Sequence, residues 1–131
     1  MLHVLSNSFS RIMVSSNQLL SEVVVLNSRL CKESLHILYN TGYIRTYTIL
    51  DLKRITVFIK YVDSKHIIRQ LSILSKPRRK LYVKYRQLLG FSLNNTVFTN
   101  SFLVCSTNKG LLTDVEAVAF KRGGEALFFF S

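Results

Sequence analysis

At 131 residues the chain is long enough for one ordinary domain or two small ones sharing an interface. Its 48% apolar content and mean hydropathy of +0.22 supply a packed core, which excludes disorder as the native state of the whole chain. Eighteen Lys and Arg against seven Asp and Glu give a net charge of +11 that concentrates polyanions, nucleic acid first and an anionic membrane surface second.

The first residues show neither a secretory hydrophobic core with a small-residue cleavage site nor an Arg-rich transit peptide, and read at once as domain structure. Leu2, Leu5, Phe9, Ile12 and Met13 recur at three- and four-residue steps, which predicts a helix from residue 2 to about 20. Ser6, Asn7, Ser10 and Arg11 lie elsewhere on its surface. A short strand, Val23 to Leu26, follows, and Asn27 or Ser28 can cap the next helix. That helix carries Cys31, Leu35 and Leu38 on one face and ends near Gly42, a residue at ease in left-handed C-cap geometry. Tyr43 to Leu50 and Ile55 to Val62 are rich in β-branched and aromatic residues and read as strands around a polar Asp51-Leu52-Lys53 turn.

Asp63-Ser64-Lys65-His66 marks the best boundary between two halves, 1–63 and 64–131. After a mixed segment, Ile67 to Leu74, and the basic run from Lys76, Leu81-Tyr82-Val83-Lys84-Tyr85 alternates as a half-exposed strand should. Residues 86–100 are ambiguous, with Asn94, Asn95 and Asn100 arguing for loop over helix. Phe102 to Cys105 is a buried strand. Thr113 and Glu116 have capping-box spacing for a short helix that should run to about Lys121 and stop at Gly123-Gly124. Ala126 to Phe130 closes as a strand.

No stretch approaches the roughly 18 uninterrupted apolar residues of a membrane-spanning helix. Cys31 and Cys105 lie far apart and outside any CxxC, and read as small buried apolar residues in a reducing compartment, with a disulfide as the minor alternative. Alanine occurs only at Ala117, Ala119 and Ala126, Trp is absent, and Phe, Ser, Leu, Ile, Asn and Tyr abound, the usage of an AT-rich coding sequence such as organellar genomes carry.

Chemistry concentrates in two places. Ser106-Thr107-Asn108-Lys109-Gly110 offers three short polar side chains, one charge, and a glycine that lets backbone approach a ligand. The plainer reading is a polar turn; GxxxxGK spacing is absent, so it is no P-loop. The second is Lys76 to Tyr85, where Lys76, Arg78, Arg79, Lys80 and Lys84 can neutralise phosphates and Tyr82 offers a flat face, or where charge merely protects an edge strand. His3, His36 and His66 are scattered, no carboxylates pair for acid–base work, and no Ser lies in a GxSxG elbow, so neither metal nor catalysis is expected. Phe128-Phe129-Phe130 could anchor to a membrane, but three residues bury too little and a buried terminal strand is the better reading.

The run from Ser106 to Asp114, with Ala117 and Gly123-Gly124-Glu125 at matching distances, resembles the C-terminal hallmark of the bacterial-type small-subunit ribosomal protein eight family. Lys76-Pro77 followed by Lys80-Leu81-Tyr82 resembles its Arg-Pro-Gly-x-Arg-x-Tyr segment. Ser28-Arg29-Leu30, Gly42-Tyr43-Ile44 and Ser10-Arg11-Ile12 match shorter family signatures, so the likeness spans nearly the whole chain. The chain departs from the family at Arg78, where a Gly is usual, at Met13-Val14, in the absent Asp-Pro opening, in a shorter loop between the N-lobe strands, and over 86–100, which lacks a clear helical pattern.

The resemblance implies an α+β protein, with an N-terminal lobe of two helices on a small sheet and a C-terminal mostly-β lobe with short helices. It implies no cofactor and no catalysis. The expected partners are the central domain of small-subunit ribosomal RNA, bound at an irregular helix, and neighbouring small-subunit ribosomal proteins. Carried over by position, Ser106, Thr107, Asn108, Lys109 and Gly110 would meet bases and sugars in the minor groove, with Gly124 beside them. Tyr82 would lie against a ribose or base, Glu125 would brace the loop or accept a hydrogen bond, and Lys76, Arg78, Lys80, Arg29, Ser28 and Arg11 would hold flanking RNA. With the organellar composition, the expected location is a mitochondrial ribosome in the matrix, with the plastid second. The alternative is a basic peripheral membrane or assembly protein using Phe128 to Phe130 and the cations of 76–86.

Overall fold

A computed structural model describes residues 2–76, 78–98 and 101–131, with side chains for all of these except 2, 3 and 92–98. The chain is α+β and divides into two compact units, Met1–Arg69 and Gln70–Ser131.

In the first unit, α1 (Leu2–Asn17) turns Leu5, Phe9 and Ile12 inward, where all three are buried. It is followed by β1 (Glu22–Leu26) and α2 (Arg29–Asn40), whose buried face carries Cys31, Leu35 and Leu38. The expected cap of α2 is Ser28, whose hydroxyl accepts from the Cys31 amide at 3.1 Å. Then come β2 (Ile44–Ile49) and β3 (Arg54–Ile59), joined where the Asp51 carboxylate accepts from the Lys53 and Arg54 amides at 2.8 and 2.9 Å. The three strands form an antiparallel sheet in the order β1-β3-β2, with both helices packed against it. β4 (Tyr61–Val62) and β5 (Lys65–His66) make a small hairpin turned by Asp63 and Ser64.

The second unit opens with β6 (Leu71–Ile73) and β7 (Tyr82–Val83) and continues with α3 (Tyr85–Phe98) and β8 (Phe102–Thr107). It ends with β9 (Gly110–Thr113), α4 (Asp114–Ala119) and β10 (Gly124–Phe130). β10 is the centre of an antiparallel sheet, pairing with β6 and β7 along one edge and β8 along the other, with β9 outside β8. Leu103, Cys105, Leu112 and Ala126 on one face of this sheet form a core with Leu88 of α3 and Ala117 of α4. Phe128 and Phe130 are fully buried, so the apolar C-terminal run is an interior strand and not an exposed anchor.

Three sequence expectations need correcting. Residues 85–98 are helical, where the sequence was ambiguous and its asparagines favoured loop. The Gln87 side chain accepts from the Lys84 amide at 2.9 Å at the helix start, Leu88 is buried, and the Phe91 ring meets Phe129 edge-on at 6.3 Å. Packing of that kind outweighs the few tenths of a kcal/mol by which asparagine disfavours a helix, roughly 0.7 at most. Asn100 and Pro77 lie outside the described residues. The strand expected over 81–85 shrinks to Tyr82–Val83, because α3 begins at Tyr85. Gly110–Thr113 is a strand, where only a loop had been read before the helix.

Three helices end with the same pair of backbone bonds. Leu20 and Leu19 donate to Ser15 and Ser16, Tyr43 and Gly42 to Leu38 and Tyr39, and Arg122 and Lys121 to Ala117 and Val118. Each ending puts one residue in left-handed geometry. Gly42 at φ +85 takes it freely, whereas Leu19 at +59 and Lys121 at +55 carry a Cβ there, at a cost of about 1 kcal/mol each.

Candidate nucleic-acid interface

The hairpin joining β8 to β9 turns on Asn108 and Lys109, between the paired residues Thr107 and Gly110. Gly110, at φ +101, supplies the left-handed step. The Thr107 hydroxyl accepts from the Lys109 amide at 3.2 Å and donates to the Gly110 carbonyl at 3.0 Å, so one side chain fixes the turn from within. Asn108 and Lys109 project into solvent, and the Lys109 ammonium sits 5.0 Å over the Phe120 ring.

Strand register brings distant sequence positions to this hairpin. Glu125 lies opposite Ser106 on one side and Tyr82 on the other, so Tyr82, Glu125 and Ser106 form a row across β7, β10 and β8 on one sheet face. At about 4.8 Å per strand, the row spans roughly 10 Å. Tyr82 is 71% exposed, a large aromatic surface left open beside a carboxylate and a hydroxyl. The row depends on Gly124. A methyl group there would overlap the Ser106 carbonyl oxygen and stand 3.0 Å from its carbon. Gly123 is equally confined, since its methyl would come within 2.6 Å of the Val83 carbonyl. Both glycines let β10 enter between β7 and β8, a role the sequence reading had not given them.

Lys76, Arg78 and Lys80 lie just before β7, all exposed. Lys76 and Arg79 exchange backbone hydrogen bonds in both directions, at 3.1 and 3.0 Å. Ser75, fully buried, closes the base of this segment: its hydroxyl donates to the Ala126 carbonyl at 2.6 Å and accepts from the Leu81 amide at 3.1 Å. Sequence reasoning missed Ser75, because a lone serine before a basic run carries no pattern. Ser75→Ala strands a buried amide and should cost about 1–3 kcal/mol of stability. A denaturant midpoint equal to the parent's would refute that role.

The remaining expected residues belong to the first unit. The Arg11 guanidinium donates to the Val24 carbonyl at 3.1 Å, beside an open cleft of about 300 Å³ lined by Asn7, Ser8, Ser10, Arg11 and Leu26. Ser28 is occupied as a helix cap. Arg29 makes an exposed 3.4 Å pair with Glu33, of little energetic weight.

The second unit holds nine of the eighteen cations and three carboxylates, Asp114, Glu116 and Glu125. Both ion pairs among the described residues, Arg29–Glu33 and Arg54–Asp51, lie in the first unit. The positive charge of the second unit is therefore not neutralised by its own carboxylates at close range. Asp114 offsets little at the surface, because it is fully buried. No hydrogen-bonding geometry reaches either of its carboxylate oxygens among the described residues. Burial pushes its pKa up, and the nearby amides of Val115 and Leu103 only partly oppose this. Burial, with the Asp114 charge second, also pushes the Cys105 thiol to about 11, so it stays protonated and unreactive at neutral pH.

A raised carboxyl pKa contributes stability below the ordinary aspartate range and loses it as pH rises through the folded-state value. Asp114→Asn should accordingly raise Tm at pH 7 relative to the parent, with the gain shrinking towards pH 4. A gain that is constant across this range would count against the assignment.

A hairpin that gathers hydroxyls, an amide and cations at one end of an α+β unit is suited to holding a polyanion. The family model described as Ribosomal protein S8 matches residues 3–130, and the chain belongs to that family: it is a ribosomal protein, not an enzyme. It is 43% identical over 124 residues to Small ribosomal subunit protein uS8m of Acanthamoeba castellanii, covering 95% of each chain. It is 32% identical over 128 residues to Small ribosomal subunit protein uS8 of Rhodopseudomonas palustris (strain BisB18), covering 95% of this chain and 93% of the relative. The protein of the same name from Neorickettsia sennetsu is 29% identical over 129 residues, with 95% of each covered.

Proposed function

We propose that the chain is a constituent of the small subunit of a mitochondrial ribosome, in the matrix, and binds the central domain of small-subunit ribosomal RNA directly. The observation that carries this reading is the Ser106–Gly110 hairpin, exposed at its tip and set beside the Tyr82–Glu125–Ser106 row in a unit rich in uncompensated cations. The mitochondrial placement is supported by the relative named uS8m and by the AT-rich residue usage.

The shallow minor groove of an RNA helix presents 2′-hydroxyls and base edges, which short donors and acceptors can reach. Ser106, Asn108 and the backbone at Gly110 supply such groups, and the Thr107 hydroxyl keeps them in one geometry. Tyr82 lies flat against a ribose or base. Glu125, between Tyr82 and Ser106, accepts from a 2′-hydroxyl or braces Ser106. Gly124 serves by letting β10 approach Ser106. Lys109, Lys76, Arg78 and Lys80 contact phosphates, while Arg11, Ser28 and Arg29 meet flanking RNA from the first unit.

Filter binding of the purified chain to a transcript of the central domain, against a scrambled transcript of equal length, tests this at several salt concentrations. The reading expects preference for the central-domain transcript and a linear fall of log affinity with log salt. Equal affinity for both transcripts would overturn it.

A further inference from the structure

The hairpin has a neighbour that the expected RNA site leaves unused. β7 and β8 are both antiparallel to β10 and so run in the same direction; with Tyr82 and Ser106 both opposite Glu125, Lys84 falls level with Asn108 at the hairpin tip. The turn after α4 reaches the same place, because a methyl on Gly123 would stand 3.1 Å from the Lys84 Cα. That turn consists of Phe120, Lys121 and Arg122, all exposed. Phe120 leaves 52% of its surface open and takes the Lys109 ammonium over its ring. An exposed aromatic ring that carries the Lys109 ammonium on its face, with the exposed Lys121 and Arg122 next to it in the turn and Lys84 beyond Gly123, has the make-up of a nucleic-acid stacking platform, in which the ring meets a base or ribose and the cations hold adjoining phosphates.

We propose that Phe120, with Lys84, Lys121 and Arg122, forms a second RNA subsite next to the hairpin, resting on the reading of that hairpin as an RNA contact. When RNA arrives, the Lys109 ammonium moves from the ring face to a phosphate, and a nucleotide takes its place on Phe120. The two ends of the subsite then load together: aromatic contact through Phe120 and ionic contact through the turn and Lys84. The left-handed conformation of Lys121 supports a functional reading of the turn, since glycine would fit there without strain and bring no charge.

The chain has no tryptophan, so Phe120→Trp installs a single reporter at the platform. Titration with the central-domain transcript should quench its emission as a base stacks on the indole, while filter binding of the same samples reports how much RNA is bound. Phe120→Ala should weaken binding several-fold and leave the salt slope unchanged. Lys121→Gly should raise Tm yet lower the salt slope by about one ion. Leu19→Gly, which relieves the same strain in the first unit, should raise Tm with no effect on RNA. Unchanged Trp emission on RNA that filter binding proves to be bound would overturn the subsite and leave the hairpin reading standing. Failure of the parent chain to bind the transcript at all would instead sink the hairpin reading beneath it.

Discussion

Gly124→Ala should be among the most damaging single substitutions in the second unit, although it adds one methyl group to a strand. The added carbon would collide with the Ser106 carbonyl, a backbone atom with no rotamer to escape into. β10 must then move away from β8, and three consequences follow together. The ladder from Glu125 to Phe130 loosens, the Tyr82–Glu125–Ser106 row loses its register, and the hairpin loses its flank. Overpacking of this kind costs roughly 1–3 kcal/mol, and the upper end is expected because the obstruction is backbone. Affinity for RNA should fall on the order of tenfold at temperatures where the chain is still folded. Near-parental Tm and near-parental affinity would mean that β10 can shift without harm, contrary to the close approach of Gly124 to the Ser106 carbonyl.

The second large effect separates charge from shape at the hairpin. Lys109→Ala removes one phosphate contact and should lower the salt slope by about one ion. Thr107→Val keeps the volume and removes the hydroxyl that accepts from Lys109 and donates to Gly110. The turn then loses its internal brace, and affinity for the central-domain transcript should drop by about 1–2 kcal/mol with the salt slope nearly untouched. The contrast matters more than either value. If both variants weaken binding in parallel at every salt concentration, the hairpin acts only as a general positive patch. If neither does, it is not at the interface.

Much of the fold was legible because its signals are local. The steps of Leu5, Phe9 and Ile12, the cap at Ser28 and the C-terminal glycine at Gly42 are each contained within one turn of helix or the residues beside it. The capping box at Thr113 was equally local, and the Thr113 hydroxyl does accept from the Glu116 amide, at 3.4 Å. What stayed hidden depends on partners far along the chain. The helix over 85–98 is held by Leu88 and Phe91 against the second unit's core, and that packing overrides the asparagines near its end. β9 is four residues long and has meaning only as the partner of β8.

The candidate site divides in the same way. Its hairpin could be found as a run of polar residues, and the order of motifs along the chain gave it a family context. The juxtaposition of Tyr82 with Ser106, 24 positions apart, exists only through Glu125 between them. Ser75 and Phe120 were invisible for a similar reason. Ser75 acts on Ala126 and Leu81 from inside the unit, and Phe120 gains its interest from Lys109 across the hairpin and from Lys84 beyond Gly123.

A photo-crosslinker attached through Asn108→Cys tests the central claim most directly, because the native thiols Cys31 and Cys105 are buried and an engineered one at the hairpin tip would be labelled selectively. Assembled into small-subunit particles and illuminated, the labelled chain should attach to nucleotides of the central domain of the ribosomal RNA. Attachment to protein alone, or to RNA outside that domain, would contradict the account.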